Sequence, residues 1–399
     1  MLEVEDAQAR IIATAEILPS ETVPLSESAG RILREFISSP LDLPLADVSA
    51  MDGYAVTAAA TSGASTTKPA LLRCVGSLAA GHQGDFKLGA TDCVRVFTGS
   101  WLPRSTDAVV MQEDTRVAGD QLEVLDAVKP FENVRIKGED VARGDSVARS
   151  GERISAGLLG LLGALGVSHV SVSRRPVIGL LATGDELVEA GQPLRDGQIY
   201  ESNRAMIAAL VTSCGGRPRA FPFVRDSLTA TQTALAEAFA ECDAVITSGG
   251  VSVGEHDHVK AAFAAMGGQL EFWKVAMKPG KPFVLGRFGR KLLFGLPGNP
   301  VSAFVTFLLL VRPALLKMQG ASDLALPSHP GVLAEAVRNH GDRRHYMRVL
   351  VGADGAIRSA GRQASHALSS LAGANGLLPL PAESTLEAGA MVNVLRWET

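Results

Sequence analysis

Three short apolar runs, "VIGLLAT", "AVITSGG" and "LLFGLPG", each end in glycine or a small polar residue, with helix-like segments between them. This alternation over residues 175–320 predicts a parallel sheet wrapped by helices, with a ligand crevice at the carboxyl ends of its strands. One intervening segment, "NRAMIAALVTSCGG", puts Met206, Ile207, Leu210 and Val211 on one helix face and stops at Gly215 and Gly216. Another helix starts at "GNPVSAFVTFLLL", with Asn299 as N-cap and Pro300 at the first helical position.

At 399 residues the chain exceeds one typical domain, and its texture changes along its length. Residues 46–139 are rich in short strands, including a hairpin in "AVVMQEDTRVAGDQLEVL" that turns at Ala118, Gly119 and Asp120. Around this β-rich stretch, "ESAGRIL" and "ISAGLLGLLGALGVSHVSVS" read as helix followed by a strand in which Val167, Val170 and Val172 partly alternate. Beyond Pro327 the helices thin out, "HYMRVLVGADGAIRSAG" reads as a hairpin turning at Asp354 and Gly355, and a small closed β domain is expected.

A formal charge of −4 argues against nucleic-acid binding through bulk charge. The N-terminus "MLEVEDAQAR" is acidic where a signal peptide is basic and then apolar, and the apolar run at residues 301–311 is too short to span a bilayer. A soluble cytoplasmic protein with neither a membrane nor a nucleic-acid partner is therefore expected. The four cysteines (Cys74, Cys93, Cys214 and Cys242) lack zinc-ligand spacing and read as buried, reduced thiols.

Several loops carry chemistry-bearing residues. "MDGYAV" contains an Asp-Gly turn at Asp52, and turn formation is its plainest reading. "LLATGDELVEAG" sets Gly184, Asp185 and Glu186 at a strand end, where carboxylates suit a magnesium ion or a ribose hydroxyl. In "TSGGVSVGEHDHVK", Gly249 and Gly250 admit close backbone approach, and their N–H groups with that of Val251 suit a phosphate. Ser252 adds a hydroxyl there, while Glu255 and Asp257 suit a hard divalent cation; the same stretch also reads as a solvated acidic loop. His256 and His258 precede a helix start, which disfavours zinc. Lys274, Lys278 and Lys281 sit among prolines and apolar residues in "FWKVAMKPGKPFVLG", as an anion pocket requires. "GLPGNPVS" brings Pro297, Pro300 and Ser302 to a helix N-terminus, whose dipole favours anions. Neither GxxxxGK[ST] nor GxGxxG is present, which disfavours ordinary ATP and NAD sites. The loops together describe a site for a phosphate or pyrophosphate ester.

The segments "SAMDGYAV", "VFTG", "DAVVMQE", "VRIKGED", "ATGDEL", "QIYESNR", "TSGGVSVGEHD", "KPGKP" and "LPGNPVS" resemble, in order and spacing, those of the molybdopterin molybdenumtransferases, the bacterial MoeA proteins and the gephyrin E domain. The resemblance covers nearly the whole chain. It implies a multidomain α/β fold: an N-terminal and linking α+β domain of residues 1–45 and 140–173, an inserted β-rich domain of 46–139, a doubly wound molybdopterin-binding domain of 174–325, and a C-terminal β-barrel of 326–399. It also implies a homodimer with its active site in a cleft between subunits, and transient contact with molybdopterin adenylyltransferase and other cofactor-biosynthesis proteins. The implied reaction takes adenylylated molybdopterin and molybdate and gives molybdenum cofactor and AMP with Mg2+. A molybdopterin adenylyltransferase and a non-catalytic, gephyrin-like scaffold are the alternatives.

Carried over residue by residue, the resemblance gives catalytic roles to Asp52, Thr98, Asp140 and Lys278. It assigns substrate contacts to Glu186, Gly249, Gly250, Ser252, Lys274, Lys281, Pro297, Pro300, Ser302, Arg343 and Ser365, and metal contacts to Asp226 and Asp257; Arg348 competes with Arg343 for the anion-binding arginine. Two positions depart from the family pattern: Glu201 replaces a shorter Asp or Asn, and Ser227 stands where a second acidic residue often follows Asp226.

Overall fold

The computed structural model describes residues 1–82, 84–119, 121–251 and 258–397. They form two compact units: one of Met1–Glu35, Ser150–Ser155 and His169–Thr399, the other of Phe36–Arg149 and Ala156–Ser168.

The first unit contains a six-stranded sheet in the order Arg217–Ala220, Val177–Ala182, Ala244–Ser248, Lys291–Leu296, Pro282–Phe288, Gln269–Lys274. The first four strands are parallel, and Pro282–Phe288 runs against its neighbours. Alternate residues along each strand enter different cores. Ile178, Leu180, Ala244, Ile246, Leu292 and Phe294 pack with the helices Val4–Thr14, Asn203–Ser213 and Pro300–Met318. Leu181, Val245 and Leu293 pack with the helices Leu228–Glu241 and His258–Ala265. Both faces are thus covered, which is why these strands read as continuous apolar runs.

The helix Pro300–Met318 extends well past the apolar run seen in the sequence, through a π-helical segment at Phe307–Val311 and on to Arg312–Met318. Its 19 residues are long and apolar enough to cross a bilayer by length and composition, but 89% of an 18-residue window of it is buried inside the protein, as a core helix is. The sequence reading stopped at Arg312; this arginine stays in the helix because its Nη1 donates to the carbonyls of Leu324 and Ala325.

Five strands of the C-terminal part (Ser328–Leu333, Arg344–Val351, Ala356–Ser359, Gly376–Leu380 and Met391–Leu395) close into a barrel, because Arg344–Val351 pairs with both Ala356–Ser359 and Gly376–Leu380. The two-residue strand Met277–Lys278 joins it, pairing in parallel with Arg344 and His345.

The second unit has its own six-stranded sheet, ordered Ala108–Met111, Gly53–Val56, Asp92–Val96, Ala70–Leu78, Gln121–Val124, Thr115–Ala118. Tyr54, Val56, Cys93 and Val110 form one core, and Ala55, Val94, Val96 and Val109 another.

Three local expectations need correction. "ESAGRIL" is not a helix: a 3-10 turn at Leu25–Glu27 gives way to Gly30 at φ +73°, after which Ile32 and Leu33 bridge to Arg153 and Val172. A left-handed glycine inside a short segment ends helical propagation. Val167 lies ahead of its strand, which runs His169–Ser173 with Val170 and Val172 buried. All four cysteines are free, but Cys74 is exposed, its thiol donating to the Gly76 carbonyl at 3.3 Å on a strand whose register shifts between Cys74 and Ser77.

Candidate active site

At the carboxyl ends of the parallel strands lies a cavity of about 580 Å³. Its lining includes Thr183, Gly184, Glu186, Glu201, Asn203, Asp226, Ser248, Gly249, Gly250, Gly298, Asn299 and Pro300. The fold therefore gathers Glu186, Asp226, Gly249, Gly250 and Pro300, five of the residues singled out in the sequence, around one space.

Gly249 and Gly250 adopt φ +90° and +66°, and a Cβ at Gly249 would lie 2.9 Å from both the Thr183 carbonyl oxygen and hydroxyl. Only glycine fits this turn. Not all of the expected N–H donors are available, however. The Gly249 N–H continues the sheet by donating to the Leu296 carbonyl at 3.1 Å, which leaves Gly250 and Val251, whose N–H groups have no acceptor among the described residues, as the donors of the turn. At the helix start Pro300 has no N–H, Val301 donates to the Ser365 carbonyl at 3.1 Å, and Asn299 occupies the cap position without a side-chain bond. The helix start thus offers fewer free donors than its sequence implies, and the backbone of Ser365 is one reason.

A basic cluster sits where the barrel meets the strand Met277–Lys278. Lys278 is exposed and paired in register with His345, while Nη1 of Arg343 donates to the Met277 carbonyl at 3.0 Å. Arg348 is fully buried: Nε donates to the Ser370 hydroxyl at 3.0 Å and Nη2 to the carbonyls of Arg362 and Ala364 at 2.7 and 3.2 Å, while Nη1 has no partner among the described residues. Its Nη2 therefore braces the backbone just ahead of Ser365. Burial above all, with the charges of Lys278 and Arg348, pushes His345 down to about 4. Lys281 is exposed and its carbonyl closes the loop by accepting from Val275 N–H at 3.1 Å. Lys274 points elsewhere, its ammonium 3.6 Å from the Trp273 ring centroid. Pro297 and Ser302 are buried. Ser252, Glu255, His256 and Asp257 lie outside the described residues.

In the second unit, both the backbone N–H and the hydroxyl of Thr98 donate to Asp52 Oδ1, at 2.8 and 2.9 Å. These bonds, the backbone one first, together with the charge of Arg95, hold the Asp52 carboxyl below the usual carboxylate range. Asp140 is exposed, its N–H donates to the Leu43 carbonyl at 3.1 Å, and no hydrogen bond among the described residues joins it to Asp52 or Thr98.

Residues 2–166 match the family described as MoeA N-terminal region (domain I and II), 179–317 a probable molybdopterin binding domain, and 330–397 the MoeA C-terminal region (domain IV). A molybdopterin molybdenumtransferase of Haemophilus influenzae is 37% identical, with 99% of this chain and 98% of that protein covered. The chain belongs to the molybdopterin molybdenumtransferase family. Molybdopterin molybdenumtransferase 2 of Mycobacterium tuberculosis is likewise 37% identical over 94% of both chains. The crystal structure of a molybdopterin biosynthesis MoeA protein from Pyrococcus horikoshii OT3 superposes over the full length of both chains, with a TM-score of 0.86 at 30% identity.

Within this molybdopterin molybdenumtransferase family member, both departures from the family pattern have a local task. Glu201 accepts from Arg204 N–H at 2.8 Å and from Arg204 Nε at 3.3 Å, satisfying a donor in the first turn of its helix. Ser227 caps the helix Leu228–Glu241 by accepting from Ala230 N–H at 3.2 Å. Asn203 was not singled out in the sequence, although "ESNR" contains it. Its buried side chain reaches two cavity loops, and only the position of the motif at the start of a helix hinted at that.

Proposed function

We propose that this protein, a transferase of molybdenum cofactor biosynthesis, inserts molybdenum from molybdate into adenylylated molybdopterin and releases AMP in a magnesium-dependent step. The observation that supports this most is the cavity itself, in which the carboxylates of Glu186 and Asp226 and the glycine turn at 249–250 border one space large enough for a nucleotide-sized ligand.

The oxygen-only donors Glu186 and Asp226 fit Mg2+, which favours one or two carboxylates completed by substrate phosphates over an all-protein cage. When bound there, Mg2+ offsets charge on the phosphoanhydride being cleaved. The protein's own groups hold the ends of the substrate. Gly250 and Val251 N–H groups donate to phosphate oxygens, and Lys278 with Arg343 attracts the molybdate dianion at the barrel edge. Asp52, ionised and steadied by Thr98, serves metal transfer from the partner subunit of a homodimer.

The reaction is tested by incubating the purified protein with adenylylated molybdopterin, molybdate and Mg2+. AMP release with formation of active cofactor is expected, and absence of both overturns the reading. Pyrophosphate from ATP and molybdopterin would point instead to adenylyl transfer. Lys278→Ala should raise half-saturating molybdate severalfold with little effect on the adenylylated substrate; a molybdate curve that does not move removes Lys278 from the pocket.

A further inference from the structure

Asn203 opens the helix Asn203–Ser213 and is only 8% exposed. Its Nδ2 donates to the Ser248 hydroxyl oxygen at 2.6 Å and to the Gly298 carbonyl at 2.8 Å. These acceptors belong to different crossovers: Ser248 ends the strand Ala244–Ser248, and Gly298 follows the strand Lys291–Leu296. A carbonyl only accepts, so the Gly298 bond fixes which end of the amide is the NH2. Both amide protons are then used by the protein.

The other end of the amide is left over. Among the described residues, Asn203 Oδ1 is buried without a partner, as is the Thr183 hydroxyl, and both residues line the cavity. A brace meant only for the interior would have its carbonyl satisfied, because an unpaired buried acceptor is costly. The unpaired acceptor therefore belongs to the ligand-facing floor. Ionised phosphate oxygens only accept hydrogen bonds and do not suit Oδ1, whereas a ring N–H or amino group does.

We propose that Asn203 is a positioning residue of the cavity: its NH2 ties the turn at 248–250 to the turn at 298–300, and its free carbonyl receives an N–H donor of the bound substrate. The second half rests on the reading that the cavity holds a pterin ester, whose ring carries such donors.

The tie is tested first without substrate, by backbone hydrogen exchange on the full-length protein. Asn203→Ala should speed exchange about tenfold at residues 248–251 and 298–301, the effect of losing one buried hydrogen-bonded link, with the rest of the chain unchanged. Ser248→Ala, which cuts one arm only, should affect the first turn and spare the second. Unchanged exchange at either turn in Asn203→Ala, or a uniform rise across the chain, overturns the tie. In turnover, Asn203→Ala should raise KM for adenylylated molybdopterin about tenfold while changing kcat less. Asn203→Asp keeps an acceptor and loses both donors, so its KM should be raised at neutral pH and recover toward acidic pH, as a buried carboxyl regains a proton. A KM equal to wild type in Asn203→Ala overturns the substrate contact, and no recovery with pH in Asn203→Asp overturns the part that the donated bonds play in binding. Wild-type protein without turnover would instead refute the proposed reaction, and the exchange result would still decide the tie.

Discussion

At the scale of single residues, Asp52 shows how a surface carboxylate is kept ready. Thr98 directs two donors at one of its oxygens, so the ionised form is favoured well below neutral pH. Asp52→Asn should therefore preserve folding and substrate binding while cutting cofactor formation at least about a hundredfold, the scale of a lost catalytic group. Thr98→Val keeps the backbone donor and removes the hydroxyl, so the carboxyl should rise partway toward its ordinary value. The acid limb of the pH–rate profile should then move to higher pH, with the neutral plateau unchanged in shape; a limb that stays in place argues against Asp52 as the group that titrates. In the sequence "MDGYAV" was legible as a turn, but the partner of Asp52 was not. That bond exists because Gly53 pairs with Val96 across the sheet, and the pairing brings together residues 46 apart in the chain.

At the scale of elements, the turn after Lys278 depends on the core helix more than on itself. Gly280 has φ +108°, and a Cβ there would lie 2.5 Å from the Thr306 methyl carbon. Thr306 cannot yield easily, since it is fully buried and its hydroxyl donates to the carbonyls of Ser302 and Ala303 at 2.7 and 3.1 Å. Gly280→Ala should cost about 1–3 kcal/mol by overpacking and backbone strain. It should also raise half-saturating molybdate, because Lys278 and Lys281 flank the displaced turn. Adding Thr306→Ser, which removes the methyl and keeps the hydroxyl, should recover part of both losses in denaturation and molybdate titrations; additive losses would mean that the two side chains do not collide. "KPGKP" was readable as part of an anion pocket, but its fit against a helix more than twenty residues downstream was not. The helix start was readable too, down to Pro300 at the first position. What the sequence could not show was that Ser365 would take up the Val301 N–H, since the Ser365 loop is placed by Arg348 and the barrel.

At the scale of the whole molecule, the alternation of apolar strands and helices carried the fold class, because a parallel sheet covered on both faces leaves a strong trace in sequence. Buried basic side chains leave none. "HYMR" reads as an ordinary strand, yet it puts His345 at 5% and Arg348 at 0% exposure, with neither paired to a carboxylate among the described residues. Their burial ties the stability of the fold to pH. His345 falls from its ordinary 6.5 to about 4, so between these values the unfolded chain binds a proton that the folded protein does not. The resulting stability is present above about pH 6.5 and is lost as pH falls toward about 4, on the order of 3 kcal/mol for a shift of this size. His345→Leu cannot titrate and leaves no hydrogen bond broken at Nε2, which has no partner among the described residues. Urea unfolding of both proteins at about pH 7 and pH 4.5 should show the wild type losing more stability than the variant, by about 2 kcal/mol or more. Equal losses would mean that His345 titrates alike in the folded and the unfolded chain, so that the barrel edge gains its charge as pH falls through the ordinary histidine range.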